Sequence, residues 1–119
     1  MMLVVVKGSN IGTVFPLLPG AAVIVGRGEE SEVRLPDLKV SRRHCQIEEK
    51  NDVYYIRDLF STNRTMVNGS VIDDIFKLKQ DDIIEIGDTT LLFTSQKSIP
   101  IKSVEDYDMI RKSRTKKIE

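Results

Sequence analysis

Arg27, Ser41, Arg42, Thr62 and Asn63 are the residues with the most chemistry to offer. Arg27 carries a permanently charged planar fork suited to bidentate contact with phosphate. Ser41 brings a short hydroxyl, and Arg42 adds a charge and a backbone N–H. Thr62 and Asn63 supply a hydroxyl and an amide able to hold a peptide backbone. These residues fall in three blocks: Gly26-Arg27, Ser41-Arg42-Arg43-His44, and the run from Asp58 to Gly69 that includes Asn68. No block holds an obvious pair of base and nucleophile. The set suits gripping a dianion and the chain that bears it. Lys39 and Arg64 stand close by and are accessory candidates for the same task.

Residues so far apart in sequence form one site only if the elements carrying them bring their ends together. The strand signals are short and frequent. Met2–Lys7, Gly12–Leu18, Ala22–Gly26 and Glu32–Leu35 are β-branched or apolar runs, separated by Gly8-Ser9-Asn10, Pro19-Gly20 and Gly28-Glu29-Glu30. Period-two alternation places Cys45 with Ile47, Tyr54 with Ile56, Ile84 with Ile86 and Leu91 with Phe93 on common faces. Asn51-Asp52 and Gly87-Asp88 are hairpin-turn candidates. Before residue 103 no convincing helical stripe occurs. The expected fold is all-β: an antiparallel β-sandwich of two twisted sheets over residues 1–95. In such a sandwich the loops at one end converge, and each block sits at a strand end or in the loop after it. Residues 96–119 read as a charged linker towards a further domain. Ser103-Val104-Glu105-Asp106 is a helix-start pattern there, with Val104, Tyr107 and Ile110 at spacing three.

The totals narrow the function classes. The 119 residues fit one domain, and 40% hydrophobic content allows one core. Lys+Arg and Asp+Glu are 18 each, so no global charge attracts nucleic acid or an anionic membrane. No segment reads as a signal peptide or a membrane span. The single cysteine, Cys45, alternates into the core and excludes an intrachain disulfide, which points to a reducing, cytoplasmic setting. One histidine and one cysteine cannot build a zinc site, and no cofactor is implied. Residues 1–94 hold 11 basic and 14 acidic side chains, yet Arg27, Arg34, Lys39, Arg42, Arg43 and Arg64 all fall between 27 and 64. Basic groups kept together inside an acidic domain mark a local anion site.

The three blocks, in order and at this spacing, resemble the signature of the forkhead-associated (FHA) family. The resemblance rests on G-R at Gly26, S-x-x-H at Ser41, and S-T-N-x-T-x-V-N-G from Ser61 to Gly69. Ile83–Thr89 also resembles the last strands of that family, and the match spans roughly residues 2–94. It implies a module that binds a phosphothreonine-containing protein or peptide and is not an enzyme. Arg27 and Ser41 match the family's phosphate ligands, with Arg42 assisting. Asn63 matches the asparagine that hydrogen-bonds the peptide backbone, with Thr62 beside it. Gly26, His44, Asn68 and Gly69 match structural positions, the histidine bracing the binding loop. The resemblance also implies further domains in a longer regulator of bacterial type.

Phe60 and Arg64 depart from that family at positions where glycine is usual, and Asp81 does so more mildly. Glycine there permits a positive φ. Arg64 is therefore expected either to shift the loop carrying Asn63 or to lend the site a charge. Lys39 is a candidate for reading an acidic residue beyond the phosphothreonine. Two other function classes remain open to the sequence. One is a phosphorylation-independent interaction or dimerisation module on a divergent scaffold, supported by Phe60 and Arg64. The other is a hydrolase using Ser41, His44 and Asp58, which lacks a nucleophile-elbow motif.

Overall fold

The computed structural model describes residues 1–95 as eleven strands and no helix. The helix start expected at Ser103 and the linker 96–119 lie outside the described residues. In chain order the strands are β1 Met2–Lys7, β2 Val14–Pro16, β3 Ala22–Gly26, β4 Val33–Arg34, β5 Cys45–Lys50 and β6 Val53–Asp58. They continue as β7 Thr65–Val67, β8 Ser70–Val71, β9 Ile75–Lys77, β10 Asp82–Ile86 and β11 Thr89–Thr94. One sheet has the order β2-β1-β11-β10-β7-β8, the other β4-β3-β5-β6-β9. Every pairing is antiparallel except β3 with β4, which is parallel and short. The chain is thus the β-sandwich that the alternation predicts.

The period-two faces become the core. Leu3 and Val5 of β1, Ile84 and Ile86 of β10, and Leu91 and Phe93 of β11 point inwards from one sheet. Val25, Cys45, Ile47 and Ile56 meet them from the other. Across the gap Tyr54 and Phe93 pack edge to face, ring centroids 5.2 Å apart. Burial also pushes the Cys45 thiol far up, so it is an inert core residue.

Turn chemistry matches backbone geometry. Asn51 and Asp52 both take positive φ, 53° and 66°, as a two-residue I′ hairpin between β5 and β6 demands. Asn68 and Gly69 do the same, at 51° and 86°, between β7 and β8. Strands β7 to β9 were not predicted as strands. Each has only two or three residues, too few for periodicity to register.

Register fixes the two ends of the sandwich. Met2 pairs with Thr94 at one end, so the start and finish of the domain are neighbours. Gly26, Cys45, Asp58, Thr65, Ile86 and Thr89 cap their strands at the other end. All three blocks lie there, except Asn68-Gly69. That turn sits at the far end of β7 from Thr65. Asn68 accepts from Ile83 N–H through Oδ1 (2.9 Å) and donates to Asp82 through Nδ2 (2.9 Å), stitching the β7–β8 hairpin to β10. Its support for the site is indirect, through the sheet.

Candidate phosphate-binding site

The segment Val40–His44 crosses the loop end of the sandwich and is held by every neighbour. Arg27 N–H donates to Ser41 O (3.0 Å), and Gly28 N–H to Arg42 O (3.1 Å). The Ser31 hydroxyl also donates to Arg42 O (3.0 Å). This carbonyl explains Gly26. A Cβ there would lie 2.1 Å from Arg42 O, so only glycine lets the segment lie against β3.

Arg27 is oriented by one of its own nitrogens. Its Nε donates to Val40 O (3.1 Å), which leaves the two terminal nitrogens of the fork without a partner among the described residues. Ser41 sits beside it, half-buried. The Ser41 hydroxyl oxygen accepts the Thr62 N–H (3.1 Å), so its hydrogen is available to a ligand. Thr62, Asn63 and Arg42 are exposed.

His44 joins the two loops and is completely buried. Its Nδ1 accepts the Ser41 N–H (3.0 Å), which places the ring hydrogen on Nε2, 2.6 Å from Arg64 O. The imidazole is therefore a strut between Ser41 and Arg64. It does not touch the Ser41 hydroxyl, and both ring nitrogens are occupied. Asp58 is occupied too, by the Ser61 hydroxyl and N–H (3.0 Å) and by the Thr65 hydroxyl (2.7 Å). Ser41, His44 and Asp58 thus do not form the triad a hydrolase would need.

Asp58 and Asp37 organise the loops, and the sequence reading gave neither a role in binding. Burial pushes the Asp58 carboxyl up, but the hydrogen bonds from the Ser61 hydroxyl, the Thr65 hydroxyl and the Ser61 N–H outweigh it and hold it below its ordinary range. Asp37 accepts from Lys39 N–H (2.9 Å), Asp88 N–H (2.8 Å) and the Thr89 hydroxyl (2.8 Å). It ties the loop before Ser41 to the β10–β11 turn. Both follow turn-forming patterns, Asp58-x-x-Ser61 and Pro36-Asp37, which were the available signal. For Asp58 the sign follows from its depressed value. Its contribution is full above the ordinary aspartate value and is lost as pH falls through the folded-state value. Denaturant titrations from neutral to acid pH should show a steeper loss of stability for the wild type than for Asp58→Asn. Parallel curves would assign the acid sensitivity to other carboxylates.

The remaining candidates are placed as follows. Asn63 Nδ2 donates to Lys39 O (2.7 Å), which holds the two loops together and leaves the amide oxygen without a partner among the described residues. The Lys39 ammonium lies 3.3 Å from Asp88, an exposed pair that contributes little and can open to a ligand. Phe60 and Arg64 take φ of 55° and 66°, the conformation a glycine would adopt. Each of these two residues therefore carries left-handed strain of about 1–2 kcal/mol. Phe60→Gly and Arg64→Gly should each raise the melting temperature or leave it level, since glycine's extra unfolded-state freedom offsets part of the relief. A clear fall would show that the side chains make contacts worth more than the strain.

A family model described as the FHA domain matches residues 23–87. The chain is 38% identical over 95 residues to the proliferation marker protein Ki-67 of Homo sapiens, covering 79% of this chain and 3% of that protein. It is 37% identical over 92 residues to the glycogen accumulation regulator GarA of Mycobacterium tuberculosis, covering 77% of this chain and 56% of that protein. The chain thus spans about half or less of these relatives. Among solved structures it superposes with a TM-score of 0.70 on an FHA domain studied for phosphothreonine-dependent interactions. There the identity is 32%, with 80% of this chain and 97% of the other covered.

Proposed function

The chain belongs to the forkhead-associated family, and from that premise we propose that its loop end binds phosphothreonine on a partner protein, with Arg27 and Ser41 as the phosphate ligands. The observation that carries this is the pairing of free donors. Arg27 presents an unoccupied guanidinium edge, and Ser41 an unoccupied hydroxyl hydrogen, from two loops joined by the Arg27 N–H bond to Ser41 O and the Arg27 Nε bond to Val40 O. Arg42 adds exposed positive charge, and its backbone carbonyl is already used to fix the loop. The amide oxygen of Asn63 and the Thr62 hydroxyl are suited to the peptide on either side of the phosphothreonine. The work of such a site is recognition: a dianion is held, and no bond is made or broken.

Calorimetry with three peptides of one sequence tests this reading. The phosphothreonine form should bind, and the unphosphorylated form should not. The phosphoserine form should bind more weakly by at least about fivefold, the worth of one buried methyl group. Equal binding of the unphosphorylated peptide would favour a phosphate-independent interaction module instead. The fully exposed Phe60, at 102% relative exposure, is the observation that supports that second reading. We place residues 1–95 as the recognition domain of a longer cytoplasmic regulator, with 96–119 leading out of it.

A further inference from the structure

A second positively charged hollow opens on the β3–β4 side of the same end. Arg27, Arg34, Arg42 and Arg43 line it, with Glu29 and Glu30 also in its wall. It encloses ≈ 510 Å³, within the roughly 300–1,000 Å³ of ordinary ligand clefts. Ser41, Thr62 and Asn63 take no part in it. Arg27 and Arg42 are shared with the phosphothreonine site, so the hollow adjoins that site, and Arg34 and Arg43 are the arginines that lie outside it. The Arg42 segment, pinned at its carbonyl by Gly28 and Ser31, is the wall between the two.

Its charge is only partly compensated. Among the described residues none of the four guanidinium groups forms an ion pair. Glu32, on the same edge, accepts the Ile24 N–H (2.8 Å) and lies close enough to Arg43 for that guanidinium to help hold its carboxyl below the ordinary range. Arg34 is held at the hollow by its Nε bond to Arg27 O (3.3 Å), a backbone contact that does not involve the Arg27 guanidinium. With Glu29 and Glu30 in its wall the lining still holds two more positive than negative side chains, and an anion joining them relieves the repulsion among the arginines. Two of them already face the neighbouring phosphate position.

Resting on the phosphothreonine reading above, we propose that this hollow is a second anion subsite, which takes a phosphoryl or carboxylate group carried by the same peptide close to the phosphothreonine. Arg34 and Arg43 are the residues specific to it. The preferred ligand is a doubly anionic peptide, and its second anion sets the choice among phosphothreonine partners.

The test uses phosphothreonine peptides with phosphoserine, paired aspartates or alanines placed on either flank, bound to the wild type, Arg34→Gln and Arg43→Gln. The wild type should prefer a second anion on one flank by about five- to tenfold, as two partly exposed charge-assisted contacts allow. Each substitution should reduce that preference while leaving the affinity for the alanine-flanked peptide unchanged. Arg34→Lys should restore part of it. A phosphoserine preference over aspartate assigns the subsite to a second phosphate, and equal preference to acidic sequence; both support it. A wild type indifferent to flanking charge, or a preference that survives both substitutions, overturns it. Inorganic phosphate titrated while the arginine Nε–H resonances are followed keeps the two readings separable. Movement at Arg34 and Arg43 supports the subsite even if no phosphothreonine peptide binds. Movement confined to Arg27 overturns it.

Discussion

Arg27→Ala is expected to weaken phosphothreonine-peptide binding by about 10- to 150-fold, the worth of one hydrogen bond to a charged group. The fold should survive. Arg27 lies on the rim of the sandwich, and its backbone N–H bond to Ser41 O is independent of the side chain. Some loss of stability is expected, because the Nε bond to Val40 O disappears. Arg27→Lys is the informative companion. It keeps a charge but loses both the Val40 anchor and the fork, so it should recover little of the affinity. Raising salt should weaken wild-type binding, since exposed charge attraction is screened over about 8–10 Å at physiological ionic strength. Unchanged affinity of Arg27→Ala by calorimetry would show that the phosphate sits elsewhere.

His44→Ala should damage stability and binding together. The substitution leaves the Ser41 N–H and Arg64 O without their partner and opens a cavity in a fully buried position. Each of the two lost part-buried hydrogen bonds costs about 0.5–1.5 kcal/mol and the cavity about 2 kcal/mol, so the total is about 3–5 kcal/mol. At roughly 4–8 °C per kcal/mol for a domain of this size, the melting temperature should fall by about 12–40 °C. Binding should fall even at temperatures where the variant is folded, because Ser41 and the Thr62–Arg64 loop lose their common strut. A direct ligand would behave differently: affinity would drop and the melting temperature would stay. Measuring both on one preparation separates the two roles, and a stable, non-binding His44→Ala would refute the strut.

Much of the scaffold was legible from local pattern. Alternation placed Cys45, Ile47, Ile84, Ile86, Leu91 and Phe93 in the core, where the structure has them. Asn51-Asp52 announced a hairpin because asparagine and aspartate tolerate the left-handed backbone that the turn needs. That the three blocks belong together was legible because their residue types share one chemistry, and the structure brings them to one end of the sandwich. The short strands β7 to β9 were not, since two or three residues carry no period.

By itself, then, the sequence determined the sandwich, its core faces and its turns, and it supplied the residue types on which the proposed site rests. Those depend on side-chain type and on near-neighbour spacing. The tertiary structure alone decided which partner each site residue keeps. His44 reaches Arg64 over 20 positions, Ser41 reaches Thr62 over 21, and Asn63 reaches Lys39 over 24. No local periodicity encodes such bonds; they exist because two sheets bring their loop ends together. The same closure sets Gly26 against Arg42 O and draws Lys39 to Asp88. It also gathers Arg34 and Arg43 beside Arg27. Their charges are plain in the sequence, but a shared cleft requires the short parallel pairing of β4 with β3, which only the folded chain supplies.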